Sequence, residues 1–411
     1  MELLKKTILG MQLLFVAFGA LVLVPYLTGM SPSIALFTAG LGTLIYHFVT
    51  KKVIPIFIAS SFAFIAPIIV SMKTYGPAAT MGSLMLSGIV FIIFAIIIKY
   101  KGVNIIDKYL PPIVIGPVIM VIGLKLAPVA INMAKSLDGS GKINNTALII
   151  SSVSLLTTII VVLKGKKWLS LIPILSGIIV GYITSIFLGA IDFNKLINAP
   201  WFSIPWVDAI KNNQWALPEF NIKSILLIVP VAIAPALEHI GDIFAISNVV
   251  GKDFTKEPGL HRSLTGDGIA TSLAGFLGGP PCTTYTEVTG AVALLKIYDA
   301  SLLRIAAVFS ICLAFFGKLS AFLSSIPVPV MGGIMILLFG MIASIGIQTL
   351  IREKLDISQP RNLVIIAVIL VFGIGDMVIG TETINISGIG LAGIAGMLLN
   401  IILPQTKQET K

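Results

Sequence analysis

Charge is scarce in this chain. Asp, Glu, Lys and Arg make up 11% of its 411 residues, against about 25% in soluble domains. That is too little to coat a soluble body of this size. Cysteine is nearly absent: Cys282 and Cys312 both lie in apolar segments, so they give no disulfide framework and no compartment. Three histidines without a cysteine cluster argue against a zinc site, and no metal or other cofactor is expected. There is no HExxH pair and no complete GxSxG elbow around a membrane serine, which argues against an intramembrane enzyme. The 38 glycines keep no three-residue period and no heptad run persists, so collagen and coiled coil are excluded.

What is present is apolar: 56% hydrophobic residues and a mean hydropathy of +1.03. Disorder is thereby excluded, and a polytopic membrane protein remains. The net charge of +10 does not point to nucleic acid, because basic residues also set topology in a lipid bilayer. Windows of about 20 apolar residues give roughly fourteen candidate spans: 8–27, 33–49, 54–72, 80–98, 110–130, 146–163, 168–188, 223–247, 263–278, 281–297, 303–322, 327–349, 361–380 and 386–403. With the N-terminus in the cytoplasm and the spans alternating, 20 of the 28 basic residues fall on the cytoplasmic side, all four arginines among them. This bias predicts both termini on the cytoplasmic side. Asp376, at the outer end of span 13, reads as interfacial. Trp168 starts span 7, and Trp201, Trp206 and Trp215 sit in the long outer loop 189–222. An aromatic belt accounts for all four.

The chain repeats itself weakly. Pro111-Pro112-Ile-Val-Ile-Gly116-Pro117 in span 5 resembles Pro327-Val-Pro-Val-Met-Gly332-Gly333 in span 12, and Pro55 before Ser60-Ser61-Phe62 matches Pro281 before Thr283-Thr284-Tyr285. Halves of seven spans have opposite orientation because seven is odd. Inverted repeats with interrupted spans at matching positions mark transporters and their binding sites. Spans 3 and 10 are so interrupted: each starts extended and then turns helical, because proline removes backbone donors and β-branched residues disfavour helix. Such backbone survives in lipid only inside protein or against a water-filled cavity. Each half-helix would then offer free N–H groups and a positive dipole end to a substrate.

Four acids lie within apolar segments: Glu238, Asp242, Asp267 and Glu287. A charge in mid-bilayer costs at least about 2.5–3.5 kcal/mol, so such residues are functional candidates. Glu238 and Asp242, four residues apart, share a helix face. Two neighbouring carboxylates in a low dielectric do not readily ionise together, which suits a proton-carrying site. His239 lies one residue off that face and reads as a packing or hydrogen-bonding residue.

Taken together, Met11-Gln12-Leu-Leu-Phe-Val-Ala-Phe18-Gly19-Ala20, Ser60-Ser61-Phe62-Ala-Phe64, Ala236-Leu-Glu238-His239-Ile-Gly241-Asp242, Gly259-Leu-His261-Arg262-Ser, Pro281-Cys-Thr-Thr-Tyr285-Thr-Glu287-Val-Thr-Gly290 and Ile326-Pro-Val-Pro-Val-Met-Gly-Gly333 resemble the nucleobase–ascorbate (nucleobase–cation symporter 2) transporters, and among these the bacterial uracil permeases. The resemblance covers about residues 5–403. It implies an all-α membrane protein with a 7+7 inverted repeat and short strands in spans 3 and 10. Residues 1–105 and 223–323 would form a core domain, 106–222 and 324–411 a gate domain, and two copies a homodimer. Glu238 and Glu287 would hold the base, Phe62 and Thr286 would offer backbone groups, Ala20 and Tyr285 would line the ring faces, and Phe339 would face the pocket from the gate. Asp242, where the uracil permeases commonly have His, would also lie at the substrate. Proton coupling would fall to Glu238, Asp242, Asp267 and Glu287, with Na⁺ an alternative ion. Asp242 together with Asp267 is more like the xanthine and urate branch, whereas Glu287 is uracil-like. Val288 replaces the usual Asn and Thr286 a Gly. The resemblance thus leaves a pyrimidine and a purine base open as substrate. An anion carrier of the same plan is a further alternative, disfavoured by acids at the site.

Overall fold

A computed structural model describes residues 2–102, 111–296, 298–380 and 385–404. Lys108, Lys407, Lys411 and the 105/106 boundary lie outside the described residues, as do the side chains of Thr286 and Trp168. Almost everything described is helix, because the long apolar runs can satisfy their backbone in lipid only that way. In chain order the first half has α1 (Glu2–Thr28), α2 (Pro32–Val49), β1 (Ile58–Ser60), a 3₁₀ turn (Phe62–Phe64), α3 (Ile65–Thr74), α4 (Gly76–Lys101), α5 (Pro112–Lys135), α6 (Asn145–Lys164) and α7 (Pro173–Phe187). Short helices α8 (Asn194–Asn198) and α9 (Pro205–Lys211) fill the long loop. The second half has α10 (Ile222–Ile228), a 3₁₀ turn (Val229–Ala232), α11 (Ile233–Val250), α12 (Leu260–Leu277), β2 (Cys282–Thr284), α13 (Thr286–Leu295), α14 (Ala300–Ala314), α15 (Gly317–Ser324), α16 (Val328–Arg352), α17 (Pro360–Ile374), β3 (Val378–Gly380), β4 (Asn385–Ser387) and α18 (Gly388–Ile402).

Local chemistry sets many of these ends. Ser31 caps α2 by accepting from Ile34 N, and Asn144 caps α6 by accepting from Ala147 N, each satisfying a donor that the helix leaves free. Proline opens α2, α5, α7 and α17, where its missing N–H costs nothing. Gly251 and Gly278 close α11 and α12 in the left-handed region, which glycine enters without strain.

The packing is symmetric under exchange of the two halves. α2 packs on α14 as α4 packs on α12; α6 packs on α7 as α17 packs on α18; α5 packs on α17 as α16 packs on α6. The two strands are themselves related: β1 and β2 pair antiparallel, Ile58 with Thr284, Ala59 with Thr283 and Ser60 with Cys282. Ala59 thus faces its own counterpart, Thr283, 224 residues later (283 − 59). The same offset carries Phe62, which opens one half-helix, to Thr286, which opens the other. A pairing with its own counterpart is what a two-fold axis between inverted repeats produces.

One group of helices comprises α1 to α4 and α10 to α15, and a second comprises α5 to α7 and α16 to α18; thinner contacts, such as α1 on α7 and α11 on α5, join them. Each group is held by close backbone approach. A Cβ on Gly88 would strike the backbone of Gly268 between α4 and α12, and one on Gly346 would strike that of Gly116 between α5 and α16.

The structure departs from the sequence reading in several places. Span 8 is broken, because Pro230 sits in a 3₁₀ turn between α10 and α11. Span 11 stops at Ala314 and restarts as α15. Span 13 ends at Ile374, and β3 and β4 then pair antiparallel, beyond the two strands expected. Two of the loop tryptophans do more than mark an interface. Trp206 Nε1 donates to Leu277 O at 2.8 Å with its ring edge-on to Phe37, and Trp215 Nε1 donates to Phe276 O at 3.4 Å. They stitch the long loop to the end of α12, using carbonyls that the helix itself leaves free.

The two ends of the molecule collect the groups that the alternating spans assign to common sides. Lys6 pairs with Asp299, Arg304 donates to Lys52 O and Arg262 to Val49 O at one end. Lys125 pairs with Asp376, and Lys318 donates to Leu196 O and Ile197 O, at the other.

Candidate functional site

The strand pair crosses the interior and delivers a half-helix to each side of one cavity. From the first half come Ser60, Ser61, Phe62 and Ala63; from the second, Thr283, Thr284, Tyr285 and Glu287. α11 adds Ala234 and Glu238. The opposite wall is apolar: Ile119 and Ile122 from α5, Ile342 and Ile345 from α16. The space free of atoms is about 690 Å³, within the range of small-molecule sites.

Neither half-helix has a side-chain cap: Ser61 and Tyr285 occupy the cap positions without donating or accepting there. Their first N–H groups are therefore the natural donors to a carbonyl oxygen. Glu287, in the first turn of α13, sets a carboxylate at a positive helix end. Glu238 and Glu287 lie in the interior of the bundle and open onto the cavity. The rings of Phe62 and Tyr285 lie 6.4 Å apart at 37° and form an aromatic wall.

The remaining candidates lie behind this lining. Asp242 is 5% exposed, is not part of the lining, and accepts from the Thr284 hydroxyl at 2.6 Å, so it braces β2. Asp267 is fully buried on α12 with His239 Nδ1 at 2.8 Å from its Oδ2. Ala20 is buried in α1 and Phe339 in α16, and neither lines the cavity. A Cβ on Gly123 would strike Phe339 O, so that turn of α16 is packed against α5.

With this geometry in view, comparison with known proteins is decisive. The sequence pattern of the Permease family matches residues 4–381. The chain belongs to the nucleobase–ascorbate transporter family. The probable uracil permease of Haemophilus influenzae is 50% identical over 408 residues, covering 99% of this chain and 96% of that one. The uracil permease of Bacillus caldolyticus is 46% identical over 409 residues, 98% and 93% of the two chains. That of Escherichia coli K12 is 37% identical over 401 residues, 97% and 91%. Among solved structures, the transmembrane domain of the cyanobacterial bicarbonate transporter BicA superposes with a TM-score of 0.60 at 17% identity, covering 97% of both chains. SLC26A9 gives 0.66 at 12%, over 97% of this chain and 64% of that one. These likenesses are of fold: this transporter shares the inverted-repeat architecture of those carriers. It is a multi-pass membrane protein and a transporter rather than an enzyme.

Sequence reasoning did not find the isoleucine wall of the transporter. Ile119, Ile122, Ile342 and Ile345 look like any other apolar residues of long spans, and no periodic signal separates those that face a cavity from those that face lipid. It also left His239 without a partner, whereas the structure gives it two.

Proposed function

We propose that this transporter imports a nucleobase, uracil, by proton symport, with the helices of the first group as a core that rocks against the second group as a gate. The observation that carries the reading is the cavity itself: two uncapped half-helix N-termini converge on it, and two accessible carboxylates, Glu238 and Glu287, face them. The permease relatives named for uracil support the same substrate. Uracil presents N–H donors beside carbonyl acceptors. Carboxylates accept from the N–H groups, while half-helix amides donate to the carbonyls. Phe62 and Tyr285 offer aromatic contact for a flat ring, and the isoleucines close the far side. Because each buried polar group of the site needs its counterpart, analogues that lack an N–H are rejected strongly.

The proton reading rests on the number of acids beside the cavity: Glu238, Asp242, Asp267 and Glu287. A proton taken up beside them, on one of them or on a group that they hold, relieves their mutual repulsion. The end bearing Lys6, Lys52, Arg262 and Arg304 faces the cytoplasm of a bacterial inner membrane in this scheme, as the excess of basic residues on that side requires. A homodimer is part of the proposal, and no cofactor is.

Binding to the purified protein tests the substrate. Uracil should bind, and 1-methyluracil and 3-methyluracil, each lacking one N–H, should bind at least tenfold more weakly if carboxylates read those donors. Equal binding of all three would remove Glu238 and Glu287 from base recognition. Stronger binding of xanthine than of uracil would transfer the reading to a purine.

A further inference from the structure

Four side chains form a buried hydrogen-bonded row that the cavity does not use. His239 Nδ1 lies 2.8 Å from Asp267 Oδ2. His239 Nε2 lies 2.6 Å from Ser263 Oγ, and Ser263 Oγ lies 2.9 Å from Tyr46 Oη. All four residues are 0% exposed. Among the described residues the imidazole is the side chain hydrogen-bonded to Asp267, and the Thr284 backbone N–H also lies beside this carboxylate. The carboxylate can only accept, so Nδ1 carries a proton, and Nε2 is then free to accept from Ser263. Along α12 the row steps from Asp267 back to Ser263, next to Arg262 and close to the end of α2. It therefore points from the depth of the cavity toward the basic end of the molecule. Its other flank is one residue from Glu238, which lines the cavity.

We propose that His239, held by Asp267 and joined through Ser263 to Tyr46, is where the co-transported proton resides during each cycle. The inference rests on the proton-symport reading and assigns its site. Imidazole can take a proton on one ring nitrogen while the other keeps its hydrogen bond, so it can both receive a proton and pass one on. A proton arriving at Nε2 turns it from acceptor to donor. Ser263 Oγ then accepts from Nε2, and the imidazolium balances the Asp267 carboxylate. The pair passes from one net negative charge to none. A net charge deep in the membrane is costly to move, so the core shifts with the pair neutral, which ties the proton to alternating access. Once the core has shifted, Nε2 gives its proton to Ser263 Oγ as Ser263 gives its own to Tyr46 Oη, toward the basic end.

Asp267 is the carboxylate hydrogen-bonded to His239, and other acids stand near. On its own helix lie Glu238 and Asp242, the latter held by Thr284. α12 presents Asp267 and Ser263, α2 presents Tyr46, β2 the Cys282 thiol and α13 Glu287. α4 and α5, also packed on α11, carry as charged residues only Lys99, Lys101, Lys125 and Lys135, with Lys125 engaged by Asp376. The turn before α12 carries Lys256 and Glu257, toward the basic end.

The test uses the full chain in proteoliposomes with labelled uracil, comparing wild type with His239→Gln, which keeps hydrogen-bonding capacity but does not titrate. Three quantities are read: counterflow exchange at equal pH on both sides, accumulation driven by an inward proton gradient, and exchange rate from about pH 5.5 to 8.5. His239→Gln leaves Asp267 charged throughout, so exchange should fall at least about tenfold at every pH and accumulation should be lost, whereas His239→Gln combined with Asp267→Asn, neutral throughout, should regain exchange within about threefold, without accumulation and with a flat pH profile. Accumulation and a pH profile equal to wild type would overturn the proposal. Should His239→Gln not yield folded protein, Ser263→Ala decides. Removing the hydroxyl on Nε2 should shift the pH profile, and an unshifted profile refutes the assignment. Wild type that exchanges uracil but ignores the proton gradient would instead defeat the symport reading, and the proposal with it. Wild type that exchanges xanthine and not uracil would correct the substrate alone, and the same three measurements would then be made with xanthine.

Discussion

Glu287→Gln is the sharpest perturbation of the site, because it changes charge with little change of shape. Glu287 lies in the first turn of α13 and opens into the cavity, so the amide fits where the carboxylate stood. Loss of an acid at a helix N-terminus costs about 0.3–1 kcal/mol of stability, small enough for the variant to fold. At the base the cost is larger. A hydrogen bond to a charged group is worth about 1.5–3 kcal/mol and a neutral one about 0.5–1.5, so the difference is about 1–1.5 kcal/mol, or roughly tenfold in Kd. Glutamine also brings an N–H₂ group that a substrate N–H cannot satisfy, which moves the result further the same way. Titration of the purified, monodisperse protein with uracil measures it. A Kd within twofold of wild type, with unchanged preference for uracil over its N-methyl analogues, would refute the assignment of Glu287 to the base.

Other expectations follow from other contacts. Thr284→Val removes a hydroxyl donor from buried Asp242 and should cost about 1–3 kcal/mol, read as a lower Tm in detergent. Gly88→Val forces side-chain atoms against the backbone of Gly268, which cannot yield; protein recovered from membranes should fall sharply, and normal yield would contradict the tight α4–α12 crossing. Asp299 caps α14 and meets Lys6, and its hydrogen bonds from Ser301 together with Lys6 hold its carboxyl below the usual range. A depressed carboxyl stabilises above its unfolded pKa of about 3.9 and loses that as pH falls through the folded value. Asp299→Ala should therefore cost about 1 kcal/mol at pH 7 and nothing well below pH 3, as thermal melts at the two pH values will show. A cysteine cross-link between α5 and α11 should stop uptake yet leave binding from one side, and full transport by the locked protein would contradict rocking of core against gate.

Much of this architecture was legible because its causes are local. Long apolar runs have one solution in lipid, and the proline-marked interruptions at spans 3 and 10 show where the helix must fail. The intramembrane acids stood out by cost alone. Features that depend on distant partners were not legible. Span 8 reads as one continuous apolar run, and only the packing shows Pro230 turning it. Trp206 looks like an interfacial residue until Leu277 O appears beneath it. Asp242 shares a helix with Glu238, but Thr284, 42 residues later, holds it, and it is not part of the lining. His239 has no sequence signal for Asp267, 28 residues away on the next helix. The family resemblance put Phe62, Tyr285 and Phe339 alike at the substrate; Phe62 and Tyr285 line the cavity beside the two breaks, whereas Phe339 is buried in an unbroken helix one turn from Ile342 and is not part of the lining.

The most direct test of the central claim is uptake of labelled uracil into proteoliposomes with an inward proton gradient and no sodium, with xanthine, adenine and guanine as competitors and an uncoupler added midway. The account predicts accumulation of uracil above its external concentration, little competition from the purines, and release of the accumulated base when the uncoupler collapses the gradient. Accumulation of xanthine in place of uracil, accumulation that requires Na⁺ at fixed pH, or retention of the base after uncoupling would contradict it.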